Sequence, residues 1–398
     1  MSDHFQEQLQ ALRAQSLHRK LREIGTAQGP EVQIVGQQLA NFSSNDYLGL
    51  ANDPMLREAA AAAIAEFGVG AGASRLVSGT QSPHVRLEAA LAKWKGTQAA
   101  LTFSSGYAAA VGTIPALVGK EDVVILDKLC HASLIDGAKL SGAALRVFPH
   151  NHFGKLESHL EWARRERPDA RVLIVTESVF SMDGDRAPLR ALVGLKRRFS
   201  ALLLLDEAHA VGVIGANGRG LAAEENLTRA VDVHMGTLSK ALGVSGGYIC
   251  GSHSLIEWLV NRARSFIFST APPPACAAAA MAAVEFLRSK AGEQRRLLLW
   301  DRIELLREAY PEISPPIVMP LPNGSAIHLL QVGDEQASVD LSRSLQVEGF
   351  LVPAIRYPTV AKGAARLRIT VTAAHTEAQI RQLAEALQRL RPAAAVAA

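Results

Sequence analysis

The chain has 398 residues, 48% hydrophobic and 20% charged, with a formal net charge of +4; that length supports more than one core, and the balance excludes a disordered chain. Lys and Arg are spread without a long block, which argues against nucleic-acid binding while suiting a small phosphate-bearing ligand. Cys130, Cys250 and Cys276 form no C-x-x-C pair, the polar start "MSDHFQEQLQ" lacks an apolar h-region, and "ACAAAAMAAV" is too short to span a bilayer, so a soluble cytoplasmic protein with no metal site, disulfide framework or membrane segment is expected.

Phe5, Leu9, Leu12, Leu17, Leu21 and Ile24 lie near helical spacing and predict an amphipathic N-terminal helix. "NFSSNDYLGL" (41–50) reads as a strand end running into a turn, and "PMLREAAAAAIAEF" (54–67) as a helix opening on proline. Apolar runs then alternate with helix-length stretches. The strand candidates are "AALTF" (99–103), "DVVILD" (122–127), "LRVFPH" (145–150), "RVLIVTES" (171–178), "ALLLLDEAH" (201–209) and "YICG" (248–251). Strands apolar throughout, with helices between them, predict a mostly parallel α/β sheet covered on both faces. From about Ala277 long helices precede "AIHLLQV" (326–332), "GFLVPAI" (349–355) and "LRITV" (367–371), the pattern of a smaller α+β domain. The expected division is an N-terminal helix and arm (1–50), a large domain (51–285) and a small C-terminal domain (286–398), with "PAAAVAA" as a frayed tail.

"GVGAGA" (68–73) loosely fits a dinucleotide loop, but it follows a helix rather than a strand, so no nicotinamide site is expected. "HNH" (150–152) has no third ligand at suitable spacing and reads as a polar loop. Other polar residues stand where apolar runs end. "FSSGYAA" (103–109) would turn backbone N–H groups toward a phosphate, or is an ordinary strand–helix turn. His131, just past a strand, has an imidazole able to lie flat on a ligand, or is a satisfied loop histidine. In "LLLLDEAH" the leucine run ends in Asp206 with His209 three residues on; an acid at the mouth of a buried strand needs a cationic partner unless it caps a helix. Glu177, Ser181 and Asp183 stand at another strand end in "TESVFSMDGD".

Lys240 lies in "HMGTLSKALGVSGGYICG", among small neutral residues that a surface lysine does not need. A lysine acting as an amine nucleophile does need them. One ligand would satisfy all these positions: a cation for Asp206, a phosphate for Gly106, Tyr107 and Thr237, a flat ring for His131 and an aldehyde for Lys240. Pyridoxal 5'-phosphate (PLP) has those four parts.

The whole chain resembles the α-oxoamine synthase family of fold-type I PLP enzymes. "NFSSNDYLGL", "SRLVSGTQSPHVRLE", "DKLCHASL", "TESVFSMDGD", "LLDEAHAVGVIGANGRG", "TLSKALG" and "PTVAKGAARLRITVTAAHT" stand in family order and spacing. The resemblance implies that Lys240 is the Schiff-base lysine and moves the substrate's Cα proton. It further implies that Asp206 holds the pyridine nitrogen protonated, His131 stacks on the ring, and His209 and Ser181 bond near the ring's phenolic oxygen. Gly106, Tyr107 and Thr237 would hold the phosphate, and Thr270 would reach the phosphate of a neighbouring subunit in a homodimer. His131, Arg19, Asn45, Arg356 and Thr359 match substrate positions, Arg356 as a carboxylate clamp. "NFSSNDYLGL", "HASL" and "ARLRITVTAAHT" look most like the branch that condenses L-alanine with a pimeloyl thioester of CoA or acyl-carrier protein. The branch joining glycine to acetyl-CoA, or another α-oxoamine synthase branch, is the alternative.

Overall fold

A computed structural model of the chain describes residues 2–313 and 324–390. The tail expected from "PAAAVAA" lies outside them. The chain forms two compact units. One comprises residues 50–181 and 185–296, the other residues 1–49, 182–184 and 297–398.

The first unit is built on a seven-stranded sheet. Across it the strands run Ala99–Phe103, Gly247–Gly251, Val233–Thr237, Leu202–Asp206, Val172–Glu177, Val123–Asp127 and Ala144–Phe148. The five from 233–237 to 144–148 pair in parallel, while Gly247–Gly251 is antiparallel to both of its neighbours. The sheet is mostly parallel, as the unbroken apolar runs imply. Side chains alternate between two apolar clusters. Val124, Leu126 and Leu204 point into one, with Ile114 and Leu134 from the covering helices Gly106–Leu117 and Ala132–Ser141. Val123, Ile125, Leu203 and Leu205 point into the other, with Leu156, Leu160 and Leu192 from helices Phe153–Glu166 and Leu189–Arg198. Because both faces are covered, these strands carry no polar alternation.

Local chemistry sets the helix ends. Asp53 caps Pro54–Phe67 by accepting from the Met55 N–H, with proline in its first turn, and Gly68 ends it at φ 78°. "GVGAGA" therefore begins as a helix stop. Val233–Thr237 is a strand that the apolar runs do not predict. Gly236 has a packing reason: a Cβ there would lie 2.4 Å from the Tyr248 ring on the neighbouring strand.

The second unit holds two three-stranded sheets. One joins Glu31–Ile34, Gln37–Asn41 and Phe350–Leu351; the other joins Ile327–Gly333, Ala365–Thr370 and Ala354–Ile355. Helices Glu335–Val347 and Glu377–Leu390 belong to this unit. The N-terminal helix is shorter than its apolar spacing predicts. It spans Ser2–Ala14, and Ser16 adopts φ 56°, a left-handed turn that stops it. Ile24 instead bridges Ile34. No helix of the described residues is long and apolar enough to cross a membrane.

Candidate active site

Parallel strands deliver their carboxyl ends to one edge of the sheet, where α/β proteins bind ligands. Here that edge holds a cavity of about 220 Å3, lined among others by Gly106, Tyr107, His131, Asp206, His209, Thr237 and Lys240. Residues spread over 135 positions of sequence meet because each ends a strand or follows one.

Asp206 ends the strand Leu202–Asp206 and is buried. Its Oδ1 accepts from the Ala208 N–H at 2.9 Å. Burial pushes its pKa up, while the Lys240 charge and the Ala208 hydrogen bond pull the other way. A buried carboxylate in this position is a strong attractor for a cation. Lys240 Nζ lies 2.8 Å from His209 Nε2, so the amine is aimed into the cavity by a buried imidazole from the loop after Asp206.

His131 caps helix Ala132–Ser141. Its Nδ1 accepts from the Ser133 N–H at 3.2 Å and lies 2.8 Å from Ser133 Oγ. With Nδ1 accepting, a neutral ring carries its proton on Nε2. Burial lowers its pKa, which favours that neutral form. Opposite it, Ser105 caps helix Gly106–Leu117 by accepting from the Ala108 N–H at 3.0 Å. The first N–H groups of a helix lack intrahelical partners, and Gly106 and Tyr107 bring theirs to the cavity wall, an arrangement suited to phosphate. The Tyr107 hydroxyl donates to Asp136 Oδ2 at 2.7 Å. Thr237 Oγ1 donates to the Gly246 carbonyl at 2.9 Å and lies 2.6 Å from Ser239 Oγ.

Ser181 adjoins the cavity through its backbone: its N–H donates to Glu177 Oε2 at 3.2 Å. Glu177 lines the cavity and has no assigned role in the sequence reading, although the signal that singled out Asp206, an acid ending an apolar strand, applies to it equally. Thr270 is in the same unit but exposed and outside the cavity lining. Arg19, Asn45, Arg356 and Thr359 all belong to the other unit. There Arg19 Nη2 donates to Thr359 Oγ1 at 3.4 Å, Arg356 Nη1 donates to the Ser16 carbonyl, and Asn45 Oδ1 accepts from Arg368 at 3.1 Å. Asp183, also in that unit, pairs with Arg366 at 2.8 Å. His150 of "HNH" is gripped between Asp127 (3.1 Å) and Asp185 (2.8 Å), and His152 caps a helix by accepting from the Lys155 N–H. These contacts make that stretch a structural loop.

Behind the site, Lys95 Nζ donates to Glu207 Oε2 at 2.6 Å and His234 Nδ1 lies 3.3 Å from the same oxygen. Lys95, Glu207 and His234 are fully buried. Glu207 also accepts from the Ala222 N–H and anchors the first turn of the loop that carries His209, through the Ala210 and Val211 N–H groups on its carbonyl.

Residues 37–387 match the model of the family described as aminotransferase class I and II. The chain is 46% identical to an 8-amino-7-oxononanoate synthase of Geobacter sulfurreducens over 385 residues, 96% of each protein. It is also 46% identical to one of Anaeromyxobacter dehalogenans, covering 98% of this chain and 96% of that one. Among solved structures, a serine palmitoyltransferase of S. paucimobilis with a bound PLP–myriocin aldimine superposes with TM-score 0.90 at 30% identity, over 98% of this chain and 96% of that one. An 8-amino-7-oxononanoate synthase of Francisella tularensis gives TM-score 0.74 at 28% identity, over 88% and 97%.

Proposed function

The chain belongs to the aminotransferase class I and II family and its α-oxoamine synthase branch, and on that premise we propose that it is a PLP-dependent acyltransferase of biotin synthesis. It condenses L-alanine with a pimeloyl thioester to give 8-amino-7-oxononanoate, carbon dioxide and the free thiol. The observation that carries this reading is the end-to-end likeness to synthases of that name.

The cavity fits PLP on its own terms. It presents an amine, a buried carboxylate, an imidazole and a helix N-terminus around a space of ring size. When bound, PLP supplies an aldehyde for the amino substrate and a protonated ring that withdraws electrons from its Cα. Lys240 would hold the cofactor through Nζ and would take the substrate's Cα proton on that nitrogen. His209, at 2.8 Å, keeps Nζ in place. Asp206 keeps the ring nitrogen protonated by pairing with its charge in a water-poor site. His131, neutral, covers the ring face and excludes water. Gly106, Tyr107 and Thr237 hold the phosphate, with Ser181 near the ring hydroxyl. Arg19, Asn45, Arg356 and Thr359 take substrate, Arg356 by its carboxylate. The enzyme works in the cytoplasm as a homodimer whose Thr270 reaches the partner's phosphate. The acyl donor is pimeloyl-CoA or pimeloyl-acyl-carrier protein.

Assay of carbon dioxide and thiol release decides the substrates. L-Alanine with pimeloyl-CoA is expected to turn over fastest. One methyl group in a fitted pocket is worth about 1–3 kcal/mol, roughly 10–200-fold, so glycine should react slowly rather than not at all. Glycine with acetyl-CoA outrunning alanine with pimeloyl-CoA would move the enzyme to the other branch.

A further inference from the structure

Glu177 is the last residue of its strand and stands in register with Asp206 on the neighbouring parallel strand. Two carboxylates are thus buried side by side under one small cavity, Glu177 at 2% exposure and Asp206 at 5%. Such a pair is unfavourable, since each burial and each like charge disfavours ionisation. Burial first, and the Asp206 charge next, push the Glu177 pKa up to about 8. A side chain held against that penalty has a use, and its contacts show which one. Oε1 accepts from the His131 N–H at 2.5 Å, and Oε2 accepts from the Ser181 N–H at 3.2 Å.

Those two N–H groups belong to the segments that leave two adjacent strands, Val123–Asp127 and Val172–Glu177, beyond the last rung of the ladder between them. Past that rung no neighbouring strand can take the N–H groups, and a buried N–H left unpaired is costly. One carboxylate satisfies both and ties the segments together. Ser133 holds the His131 ring from its other side, so the imidazole is fixed at backbone and ring alike.

We propose that Glu177 is a positioning residue for the cofactor site, a two-oxygen strut that sets the His131 and Ser181 segments at the spacing PLP requires. This rests on the reading of the cavity as a PLP site. The strut needs two acceptors and the full length of the glutamate arm. Glu177→Gln replaces one acceptor by an NH2 that confronts a backbone N–H. Glu177→Asp keeps the carboxyl group and shortens the arm by one carbon.

The test uses the full-length chain freed of cofactor, with two readouts: PLP binding and amide hydrogen exchange. In the wild type the His131 and Ser181 amides should exchange slowly. In both variants they should exchange faster while Leu173–Val175 stays protected, and PLP should bind roughly 2–10-fold more weakly, the loss of one hydrogen bond. Fast wild-type exchange at the two amides overturns the strut without any variant having to fold. Glu177→Asp binding PLP as the wild type does, while Glu177→Gln does not, overturns positioning by the full-length glutamate arm. A wild-type chain that takes up no PLP overturns the reading of the cavity, whereas wild-type affinity in both variants overturns the role of Glu177 alone.

Discussion

Asp206 ends its strand and His209 stands three residues on in the loop that follows, both lining the cavity with Lys240, yet their substitution should differ sharply. Asp206 is the buried charge that a protonated ring would pair with, and removing one member of a buried pair is worth about 3–5 kcal/mol. At about 1.4 kcal/mol per tenfold, Asp206→Asn should slow turnover by roughly a hundredfold to several thousandfold. His209→Asn removes one hydrogen bond to Lys240, about 0.5–1.5 kcal/mol, and should slow it no more than roughly tenfold. Steady-state rates of the two variants, each loaded with PLP, settle the order; near-normal turnover in Asp206→Asn would remove it from the proposed role. Asp206 and Lys240 were legible in the sequence because each violates its surroundings, a charge ending a leucine run and a lysine among small residues. Glu177 ends an equally apolar run, but its task, two backbone N–H groups from segments 46 and 4 residues away, has no trace in local sequence.

Elements were legible where their sequence had one cause and hidden where it had two. The run Leu202–Asp206 is apolar because both of its faces are covered, so its pattern and its structure agree. Val233–Thr237 is equally buried, but Gly236 answers to the Tyr248 ring and His234 to Glu207 and Thr228, and neither demand is visible in a strand pattern. Gly236→Ala should therefore overpack the strand beneath Thr237 and destabilise the fold by about 1–3 kcal/mol, read as a lower urea midpoint at unchanged slope; a midpoint equal to wild type would show that Tyr248 can move aside. The N-terminal helix failed in the opposite direction. Its apolar spacing continues past Ala14, but Phe5, Leu9 and Leu12 are exposed, so no packed face extends the helix beyond the turn at Ser16.

His150 shows how the loop after the strand Ala144–Phe148 is held. Burial opposes a proton on its ring, but the hydrogen bonds to Asp127 and Asp185 and their charges outweigh that and lift its pKa to about 10. The folded pKa lies above the unfolded value of about 6.5, so the folded chain keeps this proton where the unfolded chain has lost it. The stabilisation is complete below about pH 6.5 and fades as pH rises toward 10. Urea unfolding should show His150→Asn clearly less stable than wild type at pH 6, with the gap closing by pH 10. A gap that widens with pH would reverse the assignment of charge.

At the scale of the molecule, the exposed surface around Thr270 is a feature that a single chain leaves unexplained. Phe268 is 70% exposed, and Val69 and Val77 are exposed to a similar degree. Their segments are joined, since the Ala271 N–H donates to the Ala73 carbonyl at 3.0 Å and Ser74 Oγ donates to the Ile267 carbonyl at 3.0 Å. Exposed apolar side chains on joined segments, where they form a contiguous patch, mark an interaction site. A twofold axis would place the same patch of a second copy opposite, and Thr270 is proposed to enter the partner's phosphate site there. In that arrangement Lys240 and Thr270 of one chain serve different sites. Lys240→Ala should be inactive, and so should Thr270→Glu, which sets a negative charge against a phosphate. A hybrid dimer of the two would hold one site with both defects and one with neither. Random exchange makes half the dimers hybrids, each with one working site of two, so the mixture should recover on the order of a quarter of wild-type activity. Activity is measured after the two inactive proteins are mixed and allowed to exchange subunits, with sedimentation confirming dimers. No recovery among confirmed hybrids, or a fully active monomer, would place Thr270 outside a shared site.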